Sequence, residues 1–151
     1  MIYMLDTSIC IYIIKKKPAK VLDKLKRIKN DSICISSITY SELLYGAYKS
    51  KNVAKNLLAL TMFLSNIDIL PYDESSSIDY GMLRAKVEKR GTAIGSLDML
   101  IAAHAVETKS ILVTNNVKEF ERIEHLKVEK WVWVPRKFHK IFTYTKNLNL
   151  I

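Results

Sequence analysis

Short apolar segments alternate with amphipathic helical segments along this 151-residue chain, and this alternation limits the fold more than any other feature. Segments without helical spacing are predicted strands and occupy residues 2–5, 33–36, 67–70, 111–114 and 127–132. Because strands separated by helices need crossover connections, the sequence predicts an α/β domain with a largely parallel central sheet, covered by helices on both faces.

Two helix ends carry recognisable signals. The longest predicted helix covers residues 74–90 and is followed by Gly91, the residue type that a helix C-terminus favours. The helix over residues 96–109 begins with Ser96, which is its predicted N-cap.

The composition is that of one globular domain. Hydrophobic residues make up 49% of the chain, and four Gly and three Pro leave little room for disorder. Cys10 and Cys34 lie far apart in apolar surroundings, which predicts buried free thiols in a reducing compartment. No segment approaches the roughly 18 apolar residues of a membrane span, and no signal peptide is evident. We therefore expect a cytoplasmic protein without membrane contact.

The charge balance is basic. Lys and Arg number 24 against 15 Asp and Glu, a formal net charge of +9, which favours a polyanionic partner such as nucleic acid or an acidic protein surface. Residues 133–151 contain four Lys or Arg and no acid. We therefore predict a domain over residues 1–132 and a basic, aromatic extension over 133–151, suited to RNA contact or simply disordered.

Three acids follow the predicted strands in a suggestive way. Asp6 comes directly after the first strand, Glu42 lies about one and a half turns into the helix after the second, and Asp98 is in the first turn of the helix that precedes the fourth. The fourth strand leads into Asn115 and Asn116. Because functional groups gather beyond the carboxyl ends of parallel strands, we expect these side chains to converge on one edge of the sheet.

Each acid also has a purely structural interpretation. Asp6 could cap the following helix, Asp98 could complement a helix dipole, and Glu42 could lie on a solvated helix face, although its neighbours are mostly apolar. His104, among alanines, is interpreted as a structural histidine rather than a general base. None of these interpretations predicts that the acids meet.

Converging carboxylates would need a cation. Two of them about 4 Å apart repel by roughly 4 kcal/mol at an effective dielectric constant near 20. Oxygen ligands without His or Cys favour Mg²⁺ or Mn²⁺, ions that polarise a phosphodiester and orient a water molecule. The predicted chemistry is hydrolysis of a nucleic-acid backbone, in agreement with the basic charge.

Four motifs carry a resemblance to a known family: "MLDTSICIYIIKKKP", "ISSITYSELLYG", "RGTAIGSLDMLIAAHA" and "LVTNNVKEFERIEHLKVEKWV". In this order and spacing they closely resemble the PIN-domain ribonuclease toxins of VapBC toxin–antitoxin modules, over residues 1–132. The resemblance implies a PIN-like three-layer α/β/α sandwich and Mg²⁺- or Mn²⁺-dependent endoribonuclease activity. It also implies a homodimer and a VapB-type antitoxin, through which alone operator DNA would be contacted. Similar enteric proteins imply cleavage of initiator tRNA in the anticodon loop, which inhibits translation.

The resemblance also implies roles for individual residues. Asp6, Glu42 and Asp98 match the family's acidic, metal-binding cluster. Many PIN domains place a fourth acid after the fourth strand, where this chain has asparagines; either Asn116 positions a water molecule or Glu119, one turn further on, reaches back. Four polar residues are expected to orient the carboxylates, namely Thr7, Ser8, Thr114 and Asn115.

Other functional classes fit the pattern less well. A hydrolase that forms an aspartyl phosphate usually has a second acid two residues after the nucleophile, where this chain has Ser8. A phosphoacceptor signalling domain needs a paired acid near the first strand and a Lys after a late strand, and neither is evident. The remaining alternative is a PIN domain that lacks the fourth acid and binds RNA or a partner without cutting.

Overall fold

The computed structural model describes residues 1–16, 19–28 and 32–131, and within them five strands and seven helices. The strands are β1 (Tyr3–Leu5), β2 (Ile33–Ser36), β3 (Asp68–Leu70), β4 (Ile111–Val113) and β5 (Lys127–Glu129). The helices are α1 (Thr7–Ile14), α2 (Ala19–Arg27), α3 (Ser37–Lys49), α4 (Val53–Leu64), α5 (Glu74–Lys89), α6 (Ser96–Glu107) and α7 (Val117–Phe120). The predicted extension over residues 133–151 lies outside the described residues and stays a prediction.

The five strands form one parallel sheet in the order β3-β2-β1-β4-β5. In the centre, Met4 of β1 is in register with Cys34 of β2 on one side and with Leu112 of β4 on the other. Since every strand runs in the same direction, all the carboxyl ends lie along one edge of the sheet. The predicted parallel α/β fold is confirmed.

Alternating side chains of the central strands divide the core into two clusters. One face carries Met4, Cys34 and Leu112, which pack with side chains of α5, α6 and α7. The opposite face carries Leu5, Ile35 and Val113, which pack with side chains of α1, α2, α3 and α4. The sheet is therefore the middle layer of a three-layer α/β/α sandwich, as the sequence predicted.

The two predicted helix-end signals had different outcomes. Gly91 ends α5 at a φ of 67°, and its N–H donates to the Glu88 carbonyl, so that prediction is confirmed. The prediction of Ser96 as an N-cap was wrong by one residue. Gly95 is the N-cap, because its carbonyl already accepts the first helical hydrogen bond, from Met99 N–H at 2.8 Å.

Burial explains the two cysteines. Cys10 and Cys34 are buried free thiols, as predicted, and burial raises the pKa of Cys34 to about 12. Neither thiol is therefore a nucleophile near neutral pH. Across the described part of the chain, every helix is too short or too polar to cross a lipid bilayer.

Candidate active site

The carboxyl edge of the sheet brings the ends of β1 and β4 side by side. These strands are paired in register up to Leu5 and Val113, so the residues that follow, Asp6 and Thr114, are neighbours although 108 positions separate them in the sequence. The Asp6 N–H donates to the Val113 carbonyl at 3.0 Å and extends the pairing by one residue. This hydrogen bond fixes the position of the Asp6 backbone, and therefore the point from which its side chain extends.

Asp6 is a buried carboxylate that is held by neutral donors. Its side chain is 7% exposed. Oδ2 accepts hydrogen bonds from Thr114 Oγ1 at 2.5 Å and from Ser8 Oγ at 3.1 Å, while Oδ1 accepts from the Ser8 N–H at 3.3 Å. The last contact makes Asp6 the N-cap of α1, so its structural interpretation is correct as well.

Burial dominates the electrostatics of Asp6. Desolvation raises its pKa, and the hydrogen bonds from Thr114 and Ser8 only partly oppose that rise. Within the described ranges, no Lys, Arg or His forms an ion pair with this carboxylate. An ionised Asp6 is therefore a buried negative charge to which the described residues supply no counter-ion.

Thr114 is the centre of a short chain of hydrogen bonds. It is fully buried, donates to Asp6, and accepts the backbone N–H of Asn116 at 3.0 Å. The next residue, Asn115, has both side-chain amide atoms buried without a well-formed hydrogen bond, although it is close enough to the Tyr12 hydroxyl to lower the pKa of that group. An unsatisfied amide of this kind is costly unless a ligand or water molecule completes it.

Glu42 lies in the same neighbourhood as Asp6. Its half-buried side chain accepts a hydrogen bond from Thr7 Oγ1 at 2.5 Å, and Thr7 directly follows Asp6. The pKa of Cys10 is raised first by burial and then by the charges of both Asp6 and Glu42. Thr7 thus connects the end of β1 with the second turn of α3.

Asp98 approaches this edge from α6. Because α6 leads back to the start of β4, its first turn lies towards the carboxyl ends of the strands, and Asp98 is the third residue of that turn. Asp98 Oδ2 lies close to Gly95. A Cβ atom added to Gly95 would be 3.4 Å from this oxygen. Topology therefore supports convergence with Asp6 and Glu42 at this edge.

Asn116 and Glu119 lie beside this cluster. Asn116 is exposed and contacts Thr114 through its backbone N–H, whereas Glu119 is half-buried at the start of α7. In the described part of the chain neither side chain forms a hydrogen bond with Asp6. Over the described residues, the fourth acidic position is therefore not hydrogen-bonded to the first.

Two further side chains complete the surroundings of the site. Tyr12 is buried; burial raises its pKa, the Asn115 side chain partly opposes that rise, and the charge of Asp6 adds to it. Its place in an aliphatic stretch of α1 gave no signal of this. His104 is 1% exposed and shares a hydrogen bond with Ser36 at 2.8 Å, while burial lowers its pKa. This agrees with its interpretation as a structural residue.

The donor set suits a hard divalent cation. Over the described residues, no three or more His, Cys, Asp or Glu side chains are grouped so that they could hold a metal ion by themselves. Mg²⁺, however, commonly binds one or two carboxylates and completes its shell with water and substrate phosphate. The buried Asp6 carboxylate fits such an ion, and among the described residues its hydrogen-bond partners include no His or Cys, the usual ligands of Zn²⁺.

Comparison with known proteins identifies the family. The PIN domain profile matches residues 3–126. Ribonuclease VapC2 of Rickettsia felis is 46% identical over 132 residues, covering 87% of this chain and 98% of the relative. The tRNA(fMet)-specific endonuclease VapC of Shigella flexneri is 43% identical over 129 residues, covering 85% and 97%.

Solved structures agree with the sequence comparison. The crystal structure of VapBC2 from Rickettsia felis, bound to a DNA fragment from their promoter, matches with a TM-score of 0.83 and 43% identity, over 87% of this chain and all of that one. DNA-bound VapBC from Salmonella typhimurium matches with a TM-score of 0.83 and 40% identity, over 87% and 99%. The chain therefore belongs to the PIN domain family, within its VapC ribonucleases.

Proposed function

We propose that this chain is a Mg²⁺-dependent endoribonuclease that acts as the toxin of a type II toxin–antitoxin pair and inhibits translation by cutting RNA. The observation that carries the proposal is the buried Asp6 carboxylate, which has neutral hydrogen-bond donors and no protein counter-ion in the described ranges. The relatives from Rickettsia felis and Shigella flexneri, which are named as a ribonuclease and a tRNA(fMet)-specific endonuclease, support the same activity.

Nucleases of the PIN family generally depend on divalent metal ions. In this chain Asp6 would hold Mg²⁺ or Mn²⁺ together with one further acid, Glu42 or Asp98, and water and substrate phosphate would complete the shell of the ion. When bound, the ion supplies Lewis-acid polarisation of a phosphodiester and a water molecule of lowered pKa. An ion at this edge would also relieve the charge that burial penalises at Asp6.

The polar neighbours prepare the carboxylates for this role. Thr114 and Ser8 donate hydrogen bonds to Asp6 and fix the orientation of its carboxylate. Thr7 does the same for the carboxylate of Glu42. Such orienting contacts restrict the motion of metal ligands and favour their ionised form. The buried Asn115 amide, which lacks a well-formed hydrogen bond, would accept from or donate to a bound water or phosphate.

The proposed substrate is initiator tRNA, cut in the anticodon loop. The Shigella flexneri relative, 43% identical, is named as specific for tRNA(fMet), and the anticodon loop is part of our proposal. The net charge of +9 supports attraction to any RNA, since phosphate contacts release counterions. A single-stranded loop also offers bases that a protein can reach without opening a helix.

The proposed partners are a VapB-type antitoxin and a second copy of this chain. Related structures from Rickettsia felis and Salmonella typhimurium are VapBC complexes on DNA, and we expect operator DNA to be contacted only through the antitoxin. Exposed apolar pairs one turn apart suit protein contact, namely Leu58 with Met62 on α4 and Ile78 with Met82 on α5. The buried reduced thiols and the RNA substrate support a cytoplasmic location.

The fourth acidic role is assigned to Glu119 in this proposal. Glu119 is a charged, half-buried side chain, whereas the contact of Asn116 with Thr114 uses only backbone atoms. Glu119 would therefore hold a metal-bound or attacking water molecule, and the Asn116 side chain would contribute little. If neither residue matters and no RNA is cut, the chain is the non-catalytic PIN domain of the alternative reading.

Replacing Asp6 should abolish cleavage without unfolding the protein. Asp6→Asn removes the charge that binds the cation, so we expect cleavage of initiator tRNA in Mg²⁺ to fall at least about 100-fold, which corresponds to roughly 2.7 kcal/mol. Gel analysis of the RNA, with circular dichroism to check folding, measures this. Asp68→Asn is the matched control, because Asp68 begins β3 at the opposite edge of the same sheet. Cleavage by Asp6→Asn, or by the wild type in excess EDTA, would contradict the proposal.

The Thr114 hydroxyl should set the acidic limb of the pH–rate profile. Its hydrogen bond lowers the pKa of Asp6, so Thr114→Val should raise that pKa further. Since Asp6 must be ionised to bind the cation, the acidic limb should move to higher pH by about one to two units, the equivalent of a charge-assisted hydrogen bond. Thr114→Ser keeps the hydroxyl and should keep the profile. An unchanged limb in Thr114→Val would show that Asp6 does not control it.

Glu119 and Asn116 can be distinguished by a pair of substitutions. Glu119→Gln removes a charge at nearly constant shape, and we expect cleavage at saturating RNA to slow by about tenfold or more, within the usual range for a positioned acid or base. Asn116→Ala leaves the backbone N–H that contacts Thr114 and should cleave nearly as fast as the wild type. Single-turnover kinetics separates the two variants, and the reverse ranking would assign the fourth role to Asn116.

A further inference from the structure

Helix α3 extends away from the candidate active site with an aligned set of side chains. Glu42, Tyr45 and Lys49 are spaced by three and seven residues, which places them within about 60° of one another around the helix. Lys49 lies about 10 Å along the axis from Glu42. An acid of the site, an aromatic ring and a cation therefore share one face.

Tyr45 is presented to solvent instead of being packed in the core. Its side chain is 57% exposed, and Lys49 Nζ lies 5.4 Å from its ring centroid. Side chains on a helix lean towards its N-terminus, so the Tyr45 ring leans towards the turn that holds Glu42. Glu42 is itself hydrogen-bonded to Thr7, next to Asp6.

We propose that Tyr45 and Lys49 form a binding subsite for single-stranded RNA next to the scissile phosphodiester. A nucleobase would stack on the Tyr45 ring, and the Lys49 ammonium, which now lies near that ring, would contact an adjacent phosphate. This inference rests on the proposed nuclease function, because Glu42 marks where the backbone is cut.

The surroundings of Tyr45 favour RNA over a protein partner. Its neighbours one turn away are the exposed Ser41, the acid Glu42, the exposed Tyr48 and the cation Lys49, so the ring lies in a largely polar setting with one other aromatic ring nearby. The exposed apolar pairs on α4 and α5 are different, because two large aliphatic side chains adjoin there. A ring with a cation beside it, on a chain of net charge +9, complements a base and its phosphate.

Helix α3 supplies its own control residue. Tyr48 is also exposed, at 64%, and lies about 60° around the helix from Tyr45 but about 120° from Glu42. If RNA binding depended only on exposed aromatic area, substitution of either tyrosine would weaken it equally. If the RNA follows a path that leads from Glu42, only substitution of Tyr45 should weaken binding.

The test measures RNA binding in the full chain carrying Asp6→Asn. The probe is a fluorescein-labelled single-stranded RNA of about eight nucleotides, followed by anisotropy. Adding Tyr45→Leu should weaken binding about 5- to 150-fold, whereas Tyr45→Phe and Tyr48→Leu should bind like the parent. Adding Lys49→Gln should weaken binding and reduce the slope of log Kd against log salt by about 0.7, the loss of one phosphate contact.

Three results would overturn the subsite. They are parental binding by Tyr45→Leu, an equal loss in Tyr48→Leu, and a sedimentation shift showing that Tyr45→Leu separates two copies of the chain. Because binding is read without cleavage, failure here is distinct from failure of the nuclease. The nuclease proposal fails if Asp6→Asn alone still cuts RNA, whatever the Tyr45 variants bind.

Discussion

The buried Asp6 carboxylate is the constraint on which the rest of the site depends. Parallel pairing of β1 with β4 places it beside Thr114, and the hydroxyl of Thr114 holds one of its oxygens at 2.5 Å. Burial raises the pKa of Asp6 more than these neutral donors lower it, so the protein alone stabilises the charge incompletely. In the proposed function a divalent cation would satisfy that deficit, and its Lewis acidity would serve phosphodiester hydrolysis.

Helix α3 connects the candidate active site to the proposed RNA subsite. It begins directly at the end of β2, and Thr7 fixes Glu42 of its second turn to the residue that follows Asp6. Tyr45 and Lys49 continue along the same face. Helix α3 would thus hold the Glu42 carboxylate near the ion and would bind a nucleobase of the RNA at Tyr45, close to that carboxylate. The order of these side chains on the helix would determine which nucleotide is cut.

Much of the fold was predictable because local patterns and burial agree. Strand segments and the Gly91 helix end follow from apolar spacing and backbone freedom. Three details needed the tertiary structure. Ser96 has the better capping side chain, yet the first helical hydrogen bond starts at Gly95. Likewise, nothing local places Tyr12 beside Asp6 or leaves the Asn115 amide unsatisfied, since both depend on how α1 and β4 meet.

Denaturant unfolding of the wild type and Asp6→Asn, in EDTA and in Mn²⁺, tests the central claim most directly. Because the pKa of Asp6 is raised in the folded state, its contribution to stability is fully present below pH 3.8, the ordinary pKa of Asp. This contribution is lost as the pH rises through the pKa of the folded state. In EDTA at neutral pH we therefore predict that the free energy of unfolding of Asp6→Asn is about 1 to 3 kcal/mol greater than that of the wild type. Mn²⁺ should raise the free energy of unfolding of the wild type only. Equal stabilities that Mn²⁺ leaves unchanged in both proteins would contradict the account.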